Sequence, residues 1–270
     1  MKNQRILLPY LYALITIVCT FLVGQLILWF VPDNTNIWAS VLFIFMNLLP
    51  MLVAFGFVQM SGEMSGIGQI LKAAFSPHER RYAYVTALAV PLIYYGISVL
   101  LGNVTFTGSP FSAMIAYFPW TLLQGGLEEV GWRWYLQTHI SIKKSFVLKM
   151  LVISVIWFIW HFPIYRLPWI TAGSSNYLIF FLMILGNTFT LGAVKELSRG
   201  SIPCILAHML IDTAAVTMLV GSNLTKVALL VGVEIILSVI LVGILGRRQK
   251  PSFFIWPFSI RWTKMMAGRF

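Results

Sequence analysis

The chain has 270 residues, 59% of them hydrophobic and only 10% charged, with a mean hydropathy of +0.85. Soluble domains carry about 25% charged residues, so the composition excludes an ordinary water-soluble fold and indicates a polytopic membrane protein. The formal net charge of +11 does not indicate nucleic acid. The basic residues fall in short clusters between apolar runs, as they do where loop charge sets membrane orientation.

A spanning helix needs about 20 apolar residues. That length predicts an all-α, polytopic transmembrane helix bundle of about eight spans, at 6–30, 37–60, 82–101, 112–138, 148–168, 177–194, 202–221 and 225–246. The basic N-terminal stretch runs too long for a signal peptide and reads as the start of the first span. The connections alternate in charge. Lys2 and Arg5, then Lys72, Arg80 and Arg81, then Lys143, Lys144 and Lys149, then Lys195 and Arg199, and finally the cluster from Arg247 onward all fall on one side. Arg166 and Lys226 fall near the other. The positive-inside rule then places both termini in the cytoplasm. Residues 1–246 read as one membrane domain with its polar core in 112–221, and 247–270 as a basic, aromatic cytoplasmic tail.

Two segments are expected on the membrane surface rather than across it. In GEMSGIGQILKAAF, Met64, Ile67, Ile70, Leu71, Ala74 and Phe75 recur at helical spacing. In the tail, Phe253, Phe254, Trp256, Phe258 and Trp262 alternate with Arg261 and Lys264, a pattern suited to an anionic leaflet. Cys19 and Cys204 lie in apolar runs without ligand-like neighbours and read as free thiols.

Against this background the stretch GGLEEVGWRWYL stands out, with Glu128, Glu129 and Arg133 inside the fourth span. His161 interrupts the fifth span, and His208 with Asp212 the seventh. An ionised group at a helix centre costs roughly 3 kcal/mol on insertion scales, so such groups face a cavity or each other. Glu129 and Arg133 are four residues apart and share a face, which predicts an ion pair. Glu128 points elsewhere and is expected to face a cavity, with room left by Gly125 and Gly126. His208 and Asp212 share a face by the same spacing. Pro163 is expected to perturb the helix just after His161. Counted from the cytoplasmic helix ends, His161, Glu128 and His208 lie about 18, 15 and 10 Å deep at 1.5 Å per residue, within the error of helix ends. Asn187 reads as a helix–helix contact and Glu234 as an isolated carboxyl in the last span.

A carboxylate, two imidazoles and a second carboxyl at one level suit the activation of water against a carbonyl. The same set could form a proton relay in a transporter, or be silent in a membrane scaffold. The lack of internal repeats argues against the usual transporter plan.

At these residues the sequence resembles the CAAX-protease and bacteriocin-processing family of intramembrane proteases. The family's first motif is Glu-Glu-x-x-x-Arg, here Glu128, Glu129 and Arg133. Its second is an aromatic, usually Phe, four residues before a histidine, here Trp157 and His161. Its third is His-x-x-x-Asn, here His208 with Asp212 in place of the Asn. The resemblance implies an endopeptidase in which Glu128 and His161 activate water while His208 and position 212 stabilise the oxyanion. An ionised Asp212 cannot donate a hydrogen bond. It would have to be protonated, orient His208, or bind a metal, and Glu128, His161, His208 and Asp212 are acceptable zinc ligands. The implied partners are a peptide or protein substrate and the lipid bilayer. The implied location is a bacterial cell membrane.

Overall fold

The computed structural model describes residues 2–31, 35–64, 66–142, 145–167, 169 and 176–248. About 80% of the structure is helical. The elements run α1 (Lys2–Phe30), α2 (Ile37–Met60), α3 (Ile67–Ala74), α4 (Arg81–Leu100), β1 (Val104–Phe106), α5 (Phe111–Thr121), two π-helical segments (Leu122–Gly126 and Val130–Gln137), α6 (Phe146–Tyr165), α7 (Tyr177–Leu197), α8 (Ile202–Ala215), β2 (Met218–Val220) and α9 (Leu224–Arg248). Of the basic, aromatic tail, Arg247 and Arg248 end α9 and the rest lies outside the described residues.

Several helices begin where the sequence supplies a side-chain acceptor for the first free N–H groups. Asn36 Oδ1 accepts from Trp38 N at 2.9 Å, Ser145 Oγ from Leu148 N at 3.1 Å, and Asn176 Oδ1 from Leu178 N at 3.0 Å. Among the described residues, six helices (α1, α2, α4, α6, α7 and α9) are long and apolar enough to cross a membrane. Their outward faces carry large apolar side chains such as Leu22, Trp29, Leu92 and Ile236, as expected where the solvent is hydrocarbon.

The other two expected spans differ from their prediction. The stretch 112–138 is a helix broken by two π-helical segments. The stretch 202–221 is a helix of 14 residues, about 21 Å at 1.5 Å per residue, followed by a turn and a strand. In β2, Met218, Leu219 and Val220 pair antiparallel with Phe106, Thr105 and Val104 of β1. Isolated short strands have no period that an apolar run can reveal.

The bundle therefore has two unlike ends. One carries Lys72, Arg80 and Arg81, Lys149, Lys195 and Arg199. There Glu79 accepts the backbone N–H of Arg199 at 2.7 Å, Ser201 Oγ donates to Ala74 O at 2.6 Å, and His139 Nε2 meets Glu63 at 3.0 Å. Short helix α3 lies at this end, with Ile70 and Ala74 fully buried and Ile67 and Leu71 exposed. The opposite end carries β1 and β2, where Asn103 Nδ2 donates to Gly221 O at 3.1 Å and Lys226 Nζ to Gly102 O at 2.9 Å.

The segment Val130–Gln137 runs through the middle of the core, and all eight of its residues are buried. It lies against α1, α2, α6 and α7. Gly131 makes that approach possible, since a Cβ there would sit 2.5 Å from the Pro50 carbonyl oxygen of α2. Cys19 and Cys204 are both free.

Candidate active site

Glu128 and Glu129 lie in the short gap between the two π-helical segments. Wide π turns change the angular register of a helix and recur at functional sites. Gly125 and Gly126 close the first of them. A Cβ on Gly125 would stand 2.5 Å from Asp212 Oδ2 and 2.9 Å from His208 Nε2, and one on Gly126 would stand 2.9 Å from Met209 Cγ. The two glycines thus let α8 press its polar face against the helix that carries the glutamates. The expected room beside them is filled by side chains of α8.

The centre of the site is Glu129, which is fully buried. Its Oε2 accepts from Arg133 Nε at 2.8 Å, forming the expected i, i+4 ion pair. Its Oε1 lies 2.8 Å from His208 Nδ1. Arg133 also donates from Nη1 to Thr188 O of α7 at 3.4 Å and stacks over the Trp157 ring with its carbon 5.0 Å from the centroid. Donation of the Nδ1–H of His208 to Glu129 turns Nε2 the other way, where Asp212 Oδ2 lies 3.7 Å off. That distance is too long for a direct hydrogen bond. It leaves both atoms available to a third group.

Glu128 is 3% exposed. Its Oε2 receives Trp157 Nε1–H at 3.4 Å, and Oε1 has no partner among the described residues. Trp157 thus contributes more than packing, because a phenylalanine at this place has no N–H to give. The Trp157 ring meets the His208 ring edge-on at 5.7 Å. One turn further along α6, His161 Nδ1 lies 2.7 Å from the Trp157 carbonyl oxygen. In the neutral ring that bond takes the Nδ1–H and leaves the Nε2 lone pair exposed. Pro163 does not break α6, which continues to Tyr165, and its Cβ packs against Gly24 of α1.

His161, His208 and Asp212 share the wall of one cavity of about 260 Å3 with Trp157, Tyr94, Tyr95, Tyr165 and residues Leu219 and Val220 of β2. Glu128 lies behind Trp157, not on that wall, a difference from the expectation that it faces the cavity openly. The cavity also lies nearer the β1–β2 end of the bundle than the depth count predicts. Tyr165 and Ala215 are the last residues of α6 and α8, whereas the basic residues flank the opposite ends of these helices.

Two features of the site leave no signal in the sequence. One is the Glu129–His208 bond, which joins residues 79 apart along the chain. The other is the tyrosine wall, in which Tyr95 is fixed by donation to Ile211 O at 2.9 Å. Among the described residues, no three His, Cys, Asp or Glu side chains come together as a metal ion requires. Glu128 and His161 are turned toward Trp157 instead.

No curated protein matches the chain. A family model described as Rce1-like, type II CAAX prenyl endopeptidase Rce1-like, matches residues 109–214. That range holds Glu128, Glu129, Arg133, Trp157, His161, His208 and Asp212 and ends within α8. Residues 109–214, the part of the chain that builds this site, are therefore matched to the Rce1-like CAAX endopeptidase family, in agreement with the resemblance its motifs carry.

Proposed function

We propose that this protein is an intramembrane endopeptidase that hydrolyses a peptide bond with a water activated by side chains, without a metal. The observation that carries the reading is the convergence of three separate helices. Trp157 and His161 meet His208 and Asp212 at the wall of one cavity, with Glu128 hydrogen-bonded to Trp157 and Glu129 to His208 just behind it. A silent scaffold has no need of that convergence, nor of the exposed Nε2 atoms it creates.

In this reading a water sits between Glu128 Oε1, His161 Nε2 and the scissile carbonyl. Glu128 takes a proton as the water oxygen attacks the carbonyl carbon, and His161 helps to hold the water. The tetrahedral oxyanion receives Nε2–H from His208 when that ring carries both protons, and a hydrogen bond from Asp212 in its protonated form. The C–N bond then breaks, and Glu128 returns the proton to the leaving amine. One product is a carboxylic acid and the other an amine, and one water is consumed. Glu129 and Arg133 take no part in bond changes. They fix the His208 ring and its tautomer, the role a carboxylate partner plays for many catalytic histidines.

The test is cleavage by purified protein in detergent. The substrates are a farnesylated peptide ending in a CAAX-type sequence and unmodified peptides encoded near the protein's own gene. Product formation that is lost in Glu128→Gln supports the reading. Turnover of neither set by a well-folded protein, or full turnover by Glu128→Gln, overturns it.

A further inference from the structure

The β1–β2 pairing has an edge that the fold leaves unused. Thr107 N donates to Thr217 O at 3.0 Å and Gly221 N to Asn103 O at 2.7 Å. With the register Thr105 to Leu219, the directly bonded pairs are 103 with 221, 105 with 219, and 107 with 217. The N–H and C=O groups of Met218 and Val220 therefore point away from β1. Among the described residues no hydrogen bond reaches them. Unpaired strand edges are templates for another strand, and they are not left facing hydrocarbon.

This edge is not on a bare outer surface. Leu219 and Val220 line the same cavity as His161, His208 and Asp212. No β1 residue does, although Val104 and Phe106 also turn their backbone groups outward. We propose that the outward edge of β2 is the docking strand for an extended peptide segment, which it aligns beside the His161–His208–Asp212 wall. The identity of the occupant rests on the peptidase reading above. The mode of capture rests on the strand itself, since alternating N–H and C=O groups complement another extended backbone and no other ligand as well. Such capture reads main chain rather than side chains. It leaves sequence preference to the tyrosine-lined cavity.

An added strand presents only every second amide to its template. The farnesylated CAAX-type peptide, with a fluorophore and with single backbone N-methyl groups placed at each amide in turn, is the probe. Both binding and cleavage are measured. The expected result is an alternating pattern, with affinity about tenfold weaker at every second amide and little changed between, the scale of one lost hydrogen bond with its steric block. Val220→Pro removes the outward N–H without touching the pairing to β1. It should raise KM several-fold with kcat retained, while Val104→Pro on the opposite edge should not. Cleavage without alternation, or equal effects of Val220→Pro and Val104→Pro, overturns the docking strand and leaves the peptidase reading intact. Alternating binding without cleavage supports the strand and removes the peptidase reading. Absence of binding overturns both. The N-methyl series needs no variant protein, so a misfolded Val220→Pro does not blunt the test.

Discussion

His208 Nδ1 lies 2.8 Å from Glu129 Oε1, and the same carboxylate holds Arg133 Nε at 2.8 Å through its other oxygen. Glu129 is thus the joint through which α8 is registered against the core helix. Two cationic or proton-donating partners balance one buried carboxylate, and the loss of either is unequal in effect.

Arg133→Ala leaves Glu129 buried without its permanent cation. Breaking a buried pair from one side costs roughly 3–5 kcal/mol. The variant should be depleted from the membrane. Glu128→Gln keeps size and can still accept the Trp157 indole through its amide oxygen, so its abundance should match the wild type while turnover is lost. Immunoblots of membrane fractions beside a cleavage assay separate the two. Equal abundance with activity in both would show that the roles are wrongly divided.

Gly125→Ala places a methyl group against Asp212 Oδ2 and His208 Nε2. Overpacking of this kind costs roughly 1–3 kcal/mol. The relief must come from the two side chains that face the cavity. Activity should fall at least about tenfold, or 1.4 kcal/mol in barrier. Gly68→Ala on α3, where nothing lies within 4 Å, should leave activity unchanged. Comparable loss in both variants would count against a role for Gly125 in seating α8.

The i, i+4 relationships are legible in the sequence itself, because helix geometry is local. Glu129–Arg133 and His208–Asp212 both follow from spacing alone. So do the apolar faces of the long helices, but not the split of α3 into buried Ile70 and Ala74 and exposed Ile67 and Leu71. The Glu129–His208 bond is not legible there, because it depends on how two helices meet. Nor are the π-helical segments, whose only local trace is the glycine pair at Gly125 and Gly126. An eight-span reading makes 202–221 continuous because Val216–Gly221 is apolar enough to pass for helix. Its backbone pairs with β1 instead, a tertiary choice that outweighs composition. Trp157 stands as a mild substitute for the family's phenylalanine in the motif, yet its indole N–H is what reaches Glu128.

Asp212 is the more consequential of the two positions where this chain departs from the family pattern, and its carboxyl is 3.7 Å from His208 Nε2. In the metal-free reading Asp212 donates to the oxyanion only when protonated. Asp212→Asn should then retain activity and extend it to higher pH, because an amide donates at any pH. Were zinc held here instead, the same change would weaken the metal, by about 10- to 100-fold from an outer position. Metal analysis of purified protein, with pH–rate profiles of both forms, decides between them. Stoichiometric zinc lost together with activity would reverse the choice.

His139 offers a pH test away from the site. Burial alone would lower its pKa, but the hydrogen bond and charge of Glu63, with the Tyr135 carbonyl, outweigh it and raise the value above 6.5. The pair links the connection after α2 to the end of the core helix. A raised folded-state pKa adds stability that is complete below pH 6.5 and fades as pH climbs through the raised value. Glu63→Gln should therefore lower the melting temperature most in mildly acidic buffer and least in alkaline buffer. Both partners are partly exposed, so the difference stays within about 1 kcal/mol and shrinks with salt. A penalty that grows with pH would contradict the assignment.

Glu234 of α9 is fully buried, and neither carboxyl oxygen has a hydrogen-bond partner among the described residues. Oε2 lies against Gly186 of α7, where a Cβ would have to displace the carboxyl. An isolated carboxylate in a membrane helix costs roughly 2.5–3.5 kcal/mol to insert. The helix that carries it is also the most apolar of the six long helices, with mean hydropathy 2.8. These two facts bear on biogenesis. Translation delivers α9 after α7, so the notch at Gly186 is already in the bilayer when Glu234 leaves the insertion machinery. The carboxyl can pass straight from water into that notch without crossing lipid alone. Filling the notch with Gly186→Leu would then strand α9 at the translocon, an assembly defect visible as protease-sensitive nascent chain while every residue of the cavity wall is still in place.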